Sequence, residues 1–160
     1  MGMIMSVPKL EISRVLWSEL VKRLAHSGQG RRESGAFLLG TLQPSRKVTA
    51  YILYDDISPS AQHRNYVFLL GGDMSKVWAE CERQGIQVVA DIHTHPKGPA
   101  QSRSDRAHPI VSIGGHIALI VPNFATGLVR PEDLGVHEFQ SKGHWKSWFR
   151  AEAANKLHFT

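Results

Sequence analysis

Apolar residues Ile12, Val15, Leu16, Leu20 and Leu24 recur at helical spacing between Leu10 and Ala25, with Glu19, Lys22 and Arg23 on the other side and Gly28 placed to stop the run. This spacing predicts an amphipathic opening helix. Ser34–Gly40 is a short apolar run ending in glycine, and Lys47–Tyr54 alternates in a β-favouring way, so the two read as adjacent strands joined through Pro44. Glu33 stands at the mouth of the first. A strand is expected over Asn65–Leu70 and a helix over Asp73–Gln84, closed by Gly85. Ile86–Ile92 is mostly apolar, as a buried central strand would be, and it delivers the chain into His93. After a Gly- and Pro-containing loop from Pro96 to Gln101, the polar Ser102-Arg103-Ser104-Asp105 has the character of a helix start. Ile117–Val121 reads as another buried strand, and Gly135–Phe139 with Trp145–Phe149 as a closing hairpin around Lys142-Gly143.

Composition narrows the class. A chain of 160 residues fits one domain, residues 1–160, and its 42% hydrophobic and 21% charged content is that of an ordinary globular protein rather than a disordered or fibrous one. The longest apolar stretch, near Ile117–Pro122, falls far short of the roughly 20 residues needed to span a bilayer. The opening MGMIMSVPKLEIS lacks the basic-then-apolar order of a secretion signal, so a cytoplasmic protein without membrane partners is expected. The single Cys81 excludes an internal disulfide and a thiolate cluster, so any metal must be held by histidines and carboxylates. The net charge of +5 is spread along the chain without interleaved aromatics, which argues against nucleic acid as a partner.

The chemistry-bearing stretch is His93-Thr94-His95-Pro96 followed by Ser102-Arg103-Ser104-Asp105. Catalytic zinc takes imidazole nitrogen and carboxylate oxygen from three protein ligands and keeps a fourth position open, a description that His93, His95 and Asp105 fit. A turn at Pro96 and Gly98 is expected to let both histidines reach one ion. Water at such a site needs a base, and Glu33 is the candidate. Each residue also has an ordinary reading. The histidines could be structural, Glu33 a solvated strand-edge carboxylate, and Ser102 and Asp105 helix-capping residues.

Taken in order, Glu33 with Ser34–Gly40, the His93-Thr94-His95-Pro96 segment and Ser102-Arg103-Ser104-Asp105 resemble the motif of the JAMM metalloproteases, over roughly residues 30 to 125. The resemblance implies an α+β fold of α/β/α-like layering, a curved mixed β-sheet flanked by helices, with MPN and cytidine-deaminase-like architecture. It implies a zinc-dependent isopeptidase or peptidase cleaving after the C terminus of ubiquitin or a ubiquitin-like modifier. His93, His95 and Asp105 would then be the Zn2+ ligands, Glu33 the general acid/base and Ser102 the hydroxyl that supports the oxyanion. Partners would be a ubiquitin-like protein, its conjugates and E1-like and E2-like proteins. By size the chain resembles small stand-alone prokaryotic members beside ubiquitin-like conjugation machinery, some in antiviral defence.

Two departures stand out. The six residues between His95 and Ser102 are one fewer than the family's usual spacing, which makes Ser104 an alternative for the oxyanion role. Asp91-Ile92 precedes the first histidine where the family often has a bulky aromatic; Asp91 reads either as a partner for a ligating imidazole or as an exposed strand residue. Surface or packing roles are expected of His26, His63, His108, His116, His137 and His144, and packing roles of Trp17, Trp78, Trp145 and Trp148. Cys81 reads as a small buried hydrophobe. Two other function classes stay open: a metal-free scaffold of the MPN type, and a zinc hydrolase acting on a sulfur-carrier or small amino-acid conjugate. Specificity is expected in the loops Asp55–Arg64 and Arg106–Gly115.

Overall fold

The computed structural model describes residues 8–57 and 71–160, with side chains from residue 74 onward in the second segment. The strand expected over Asn65–Leu70 lies outside the described residues, as does most of the Asp55–Arg64 loop. In chain order the elements are β1 (Leu10–Ile12), α1 (Arg14–Gly28), β2 (Gly35–Thr41), β3 (Lys47–Leu53), α2 (Tyr54–Ile57), α3 (Gly71–Gln84), β4 (Gln87–Thr94), α4 (Arg103–Ala107), β5 (Ile117–Val121), β6 (Gly135–Ser141), β7 (His144–Trp148), α5 (Arg150–Asn155) and β8 (Leu157–Phe159). Short 3-10 turns at Asn123–Ala125 and Pro131–Asp133 link β5 to β6.

The eight strands form one curled mixed sheet in the order β7-β6-β5-β4-β2-β3-β1-β8. β4 runs parallel to β5, and β1 runs parallel to both β3 and β8; the remaining neighbours are antiparallel. A larger core under α1 gathers Trp17, Leu20, Leu24, Leu38, Ile92 and Leu119. A second, containing Phe37, Leu39, Tyr54, Val77 and Cys81, lies beneath α2 and α3. Apolar residues on both sides explain why β2, β4 and β5 read as near-continuous hydrophobic runs rather than alternating ones. Fully burying each Leu or Ile contributes about 1.5–3 kcal/mol, enough to hold the sheet between its layers.

The opening helix starts later than its spacing predicts. Leu10 and Ile12 are instead alternate residues of β1 and both face the core, with Glu11 between them less buried. Ser13 then caps α1, its Oγ accepting from Leu16 N at 3.1 Å. The helical phase set from Ser13 leaves Val15 80% exposed, a position the periodicity had placed on the apolar face. The helix closes as Gln29 adopts a left-handed conformation and its N–H bonds Ala25 O.

β2 and β4 are antiparallel, with Gly35 opposite His93, so the beginning of one strand meets the end of the other. Gly35 is required there: a Cβ would come 2.4 Å from the Tyr54 ring and 2.7 Å from Ile92 O. That close pairing brings the residues just before β2 beside those just after β4.

Candidate active site

His93 is the penultimate residue of β4, and His95 lies just past the strand's end, where its N–H still bonds Val121 O at 2.9 Å. The turn at Pro96 and Gly98 is therefore not what makes the two imidazoles converge. Alternate residues of an extended segment share a face, and the rings meet there with their Nε2 atoms 3.0 Å apart. The turn instead returns the chain to α4, where Asp105 Oδ1 lies 3.5 Å from His93 Nε2 and Oδ2 lies 3.1 Å from His95 Nε2. Donors about 2.0–2.1 Å from a tetrahedral zinc sit about 3.3 Å from one another, and these separations bracket that value. One nitrogen from each histidine and one carboxylate oxygen, all within 4.8 Å of one another, thus fit zinc by donor type and by spacing.

Asp105 is held in place by the start of its own helix. Ser102 Oγ accepts from Asp105 N at 3.0 Å, and Asp105 Oδ2 accepts from Ser102 N at 2.8 Å, a reciprocal capping box. Burial works against ionising Asp105, but the hydrogen bonds from His93 and His95 outweigh it and hold the carboxyl well below the usual carboxylate range. Burial likewise opposes the charge of His95, yet Asp105, Glu33 and a backbone hydrogen bond at Gly98 raise its pKa above the ordinary value.

Glu33 lines a small cavity of about 40 Å³ together with His93, Asp105, Ser104, Asp91 and Trp145. Ser104, half-buried, faces this cavity; Ser102 is exposed and occupied as a cap. A larger open groove of about 680 Å³ shares the Pro99–Ala100 loop and extends past Pro122, Leu128 and Phe149, but it contains none of the clustered ligands.

Prokaryotic homologs of the JAB domain, the family Prok-JAB, match residues 14–132, a span that contains Glu33, His93, His95, Ser102 and Asp105. The chain belongs to this family. This JAB protein is similar, at 21% identity over 150 residues, to the probable metalloprotease y4jG of Sinorhizobium fredii, covering 91% of this chain and 90% of that protein. Its fold is shared by a solution structure from Desulfitobacterium hafniense at 15% identity (TM-score 0.60, 94% of this chain and 92% of the other). A solution structure from Salinibacter ruber shares it too, at 21% identity (TM-score 0.58, 89% and 92%). Family membership and the three-ligand cluster together support a metallopeptidase role for the JAB chain.

Sequence reasoning missed several residues around this JAB site. Asp91 is not an exposed strand residue: it is 3% exposed, and its Oδ2 lies 2.7 Å from Nε2 of the equally buried His116. Only the same-face relation of Asp91 to His93 along β4 hinted that it would face the site. His137 is fully buried, between Ser147 and the Pro99 carbonyl. Trp145 walls the cavity, its Nε1 donating to Arg106 O at 3.1 Å and its ring edge-on to Phe139. Trp17 is buried as expected, but Trp78 is 53% exposed, and Trp148 packs beneath the Lys9 and Lys156 ammonium groups. His108, exposed, rims the same cavity, and Cys81 is buried in α3. Among the described residues no helix is long and apolar enough to cross a membrane.

Proposed function

We propose that this chain is a zinc-dependent peptidase of the isopeptidase type, cleaving after the C terminus of a ubiquitin-like modifier. The observation that carries the reading is the convergence of His93, His95 and Asp105, by donor type and spacing, on one side of a cavity that Glu33 also lines. The substrate class is supported by the motif resemblance alone. Zinc held by these three residues supplies a Lewis acid and makes water acidic enough to lose a proton near neutral pH.

The chain's own residues supply the proton traffic and the orientation. Glu33 accepts the proton of the attacking water on its carboxylate and hands it to the amine as that amine leaves, one group serving as base and then acid. A hydroxyl from Ser102 or Ser104 donates to the developing oxyanion. Ser104 has the advantage of facing the cavity; Ser102, which accepts from Asp105 N, keeps its own proton available to donate. The capping box holds Asp105 as an ionised ligand, and Trp145 with Ile110 shields the chamber.

The test pairs metal content with cleavage. Elemental analysis should give about one zinc per chain, consistent with a single three-ligand site, and His95→Ala should lose it. Glu33→Gln should keep zinc and fold while kcat on ubiquitin-like fusions falls about 10²- to 10⁴-fold, the usual contribution of a general acid/base. Retained cleavage in Glu33→Gln overturns the mechanism, and absence of zinc from the wild-type protein grown with zinc overturns the metal centre.

A further inference from the structure

The three clustered side chains are held by different means. His93 is fixed inside β4, between two paired strands, and Asp105 is fixed by the capping box. His95 has left the strand and opens the short Pro96–Gln101 loop, which runs from it to the capping box that holds Asp105. Pro96 and Pro99 bring no N–H to that loop, so it has few donors with which to fix itself. Its first half is tied to the turn after β5, with Phe124 N bonding His95 O at 2.9 Å and Asn123 N bonding Lys97 O at 3.1 Å.

The second half is tied to the sheet by one histidine. His137 Nε2 lies 3.0 Å from Pro99 O. A carbonyl only accepts, so Nε2 carries the ring proton, and Nδ1 accepts from the Ser147 hydroxyl at 2.7 Å. Gly135, on the same face of β6, is a second sign of this contact: a Cβ there would fall 2.1 Å from Pro99 O and 2.6 Å from His137 Nε2. The loop thus approaches β6 so closely that only glycine fits beneath it.

We propose that His137 is a positioning residue for the metal centre, fixing the Pro99 carbonyl against β6 and through it the loop that joins His95 to the capping box of Asp105. The proposal rests on the metal-centre reading above and adds to it a residue that is no ligand and lies 42 positions beyond His95 in the chain. Contacts beyond the ligands themselves fix where those ligands stand, and so tune metal affinity. Here one loop separates two of the ligands, His95 and Asp105, and His137 holds the second half of that loop.

Metal-free wild-type protein, His137→Phe and His137→Gln would be titrated with Zn(II) against a chromophoric chelator, and with Co(II), whose visible absorption reports coordination geometry. Phenylalanine keeps a ring against Phe149 and removes both nitrogens; glutamine returns an N–H close to the place of Nε2. His137→Phe should bind zinc about 10- to 100-fold more weakly, the usual cost of losing an outer-shell partner, with an altered Co(II) spectrum, and His137→Gln should recover most of both. A merely structural role would lower the melting temperature of both variants and leave the spectrum unchanged. Zinc affinity and Co(II) spectrum in folded His137→Phe equal to wild type overturn the proposal and leave the metal centre standing; wild-type protein that binds neither ion overturns the metal centre itself. If His137→Phe does not fold, Ser147→Ala, which removes the hydroxyl that fixes the tautomer, carries the test. A smaller loss of affinity supports the proposal and an unchanged affinity overturns it.

Discussion

Ser34 and Thr94 are joined by two hydrogen bonds across the ends of β2 and β4: Thr94 N donates to Ser34 O at 2.8 Å, and Ser34 N donates to Thr94 Oγ1 at 2.9 Å. Each lies next to a residue of the proposed chemistry, Glu33 on one side and His93 and His95 on the other. The Ser34 hydroxyl also donates to Leu24 O at 2.8 Å, which ties the junction to α1. A carboxylate and a pair of imidazoles sixty positions apart in the chain are thereby held at one cavity.

Thr94→Val tests that clamp. Valine keeps the branched shape and leaves no void, but the buried Ser34 N–H loses its acceptor, which costs about 1–3 kcal/mol. The unfolding free energy should fall by that amount, read as a lower urea midpoint with an unchanged slope; zinc content should persist, and cleavage should drop because Glu33 is no longer aligned. Thr94→Ser, which keeps Oγ, should restore most of both. A Thr94→Val protein as stable and as active as wild type would show that the clamp does not hold Glu33.

The two serines of the α4 entry should separate by what they lose. Ser102→Ala removes the acceptor of Asp105 N, while the backbone N–H of residue 102 still donates to Asp105 Oδ2, so it should cost about 1 kcal/mol of stability and largely keep zinc. Ser104→Ala touches neither bond. If Ser104 supports the oxyanion, its loss should lower kcat by about 10²- to 10³-fold with stability and zinc content unchanged, in line with the loss of one oxyanion donor elsewhere. Stability, zinc content and kcat measured on both variants decide between them, and a Ser104→Ala enzyme with full kcat returns the role to Ser102.

What the sequence made readable was what lies close together along it. His93, Thr94 and His95 with Ser102 and Asp105 fall within thirteen positions, and strand periodicity with capping chemistry was enough to expect each on its element. The hairpin of β6 and β7 was equally visible, because a Lys-Gly turn between alternating runs is a local signal. Pairings across the sheet were not visible: Asp91 with His116 spans 25 positions and His137 with Pro99 spans 38, and both depend on which strands become neighbours. β1 and β8, at three residues each, are too short to show a period, which is why Leu10 and Ile12 were absorbed into the following helix. Val15 fell on the wrong side for the same reason, since the phase of α1 is set by the Ser13 cap rather than by the residues before it.

His137 also gives the fold a pH dependence of definite sign. Burial, its largest cause, pulls the imidazole pKa down from 6.5 to about 4, against the opposing effect of the Pro99 hydrogen bond and with help from nearby His93. In the unfolded chain the same ring takes up its proton near its ordinary pKa, so between those two values the unfolded state holds more protons than the native one. Stability from this group is therefore complete above pH 6.5, declines as the pH falls and levels off below about pH 4; integrated over the window the loss is about 3 kcal/mol. His95 acts elsewhere: with its folded pKa raised, its contribution is complete below its unfolded pKa and is lost only as the pH rises through the folded one. Urea unfolding of metal-free protein, from about pH 7 down to about pH 4, should show the wild type losing most of that amount relative to His137→Gln, which has no imidazole to charge. Parallel curves for the two proteins would mean that His137 charges in the native state as readily as in the unfolded chain, and that its contact with Pro99 is open to water.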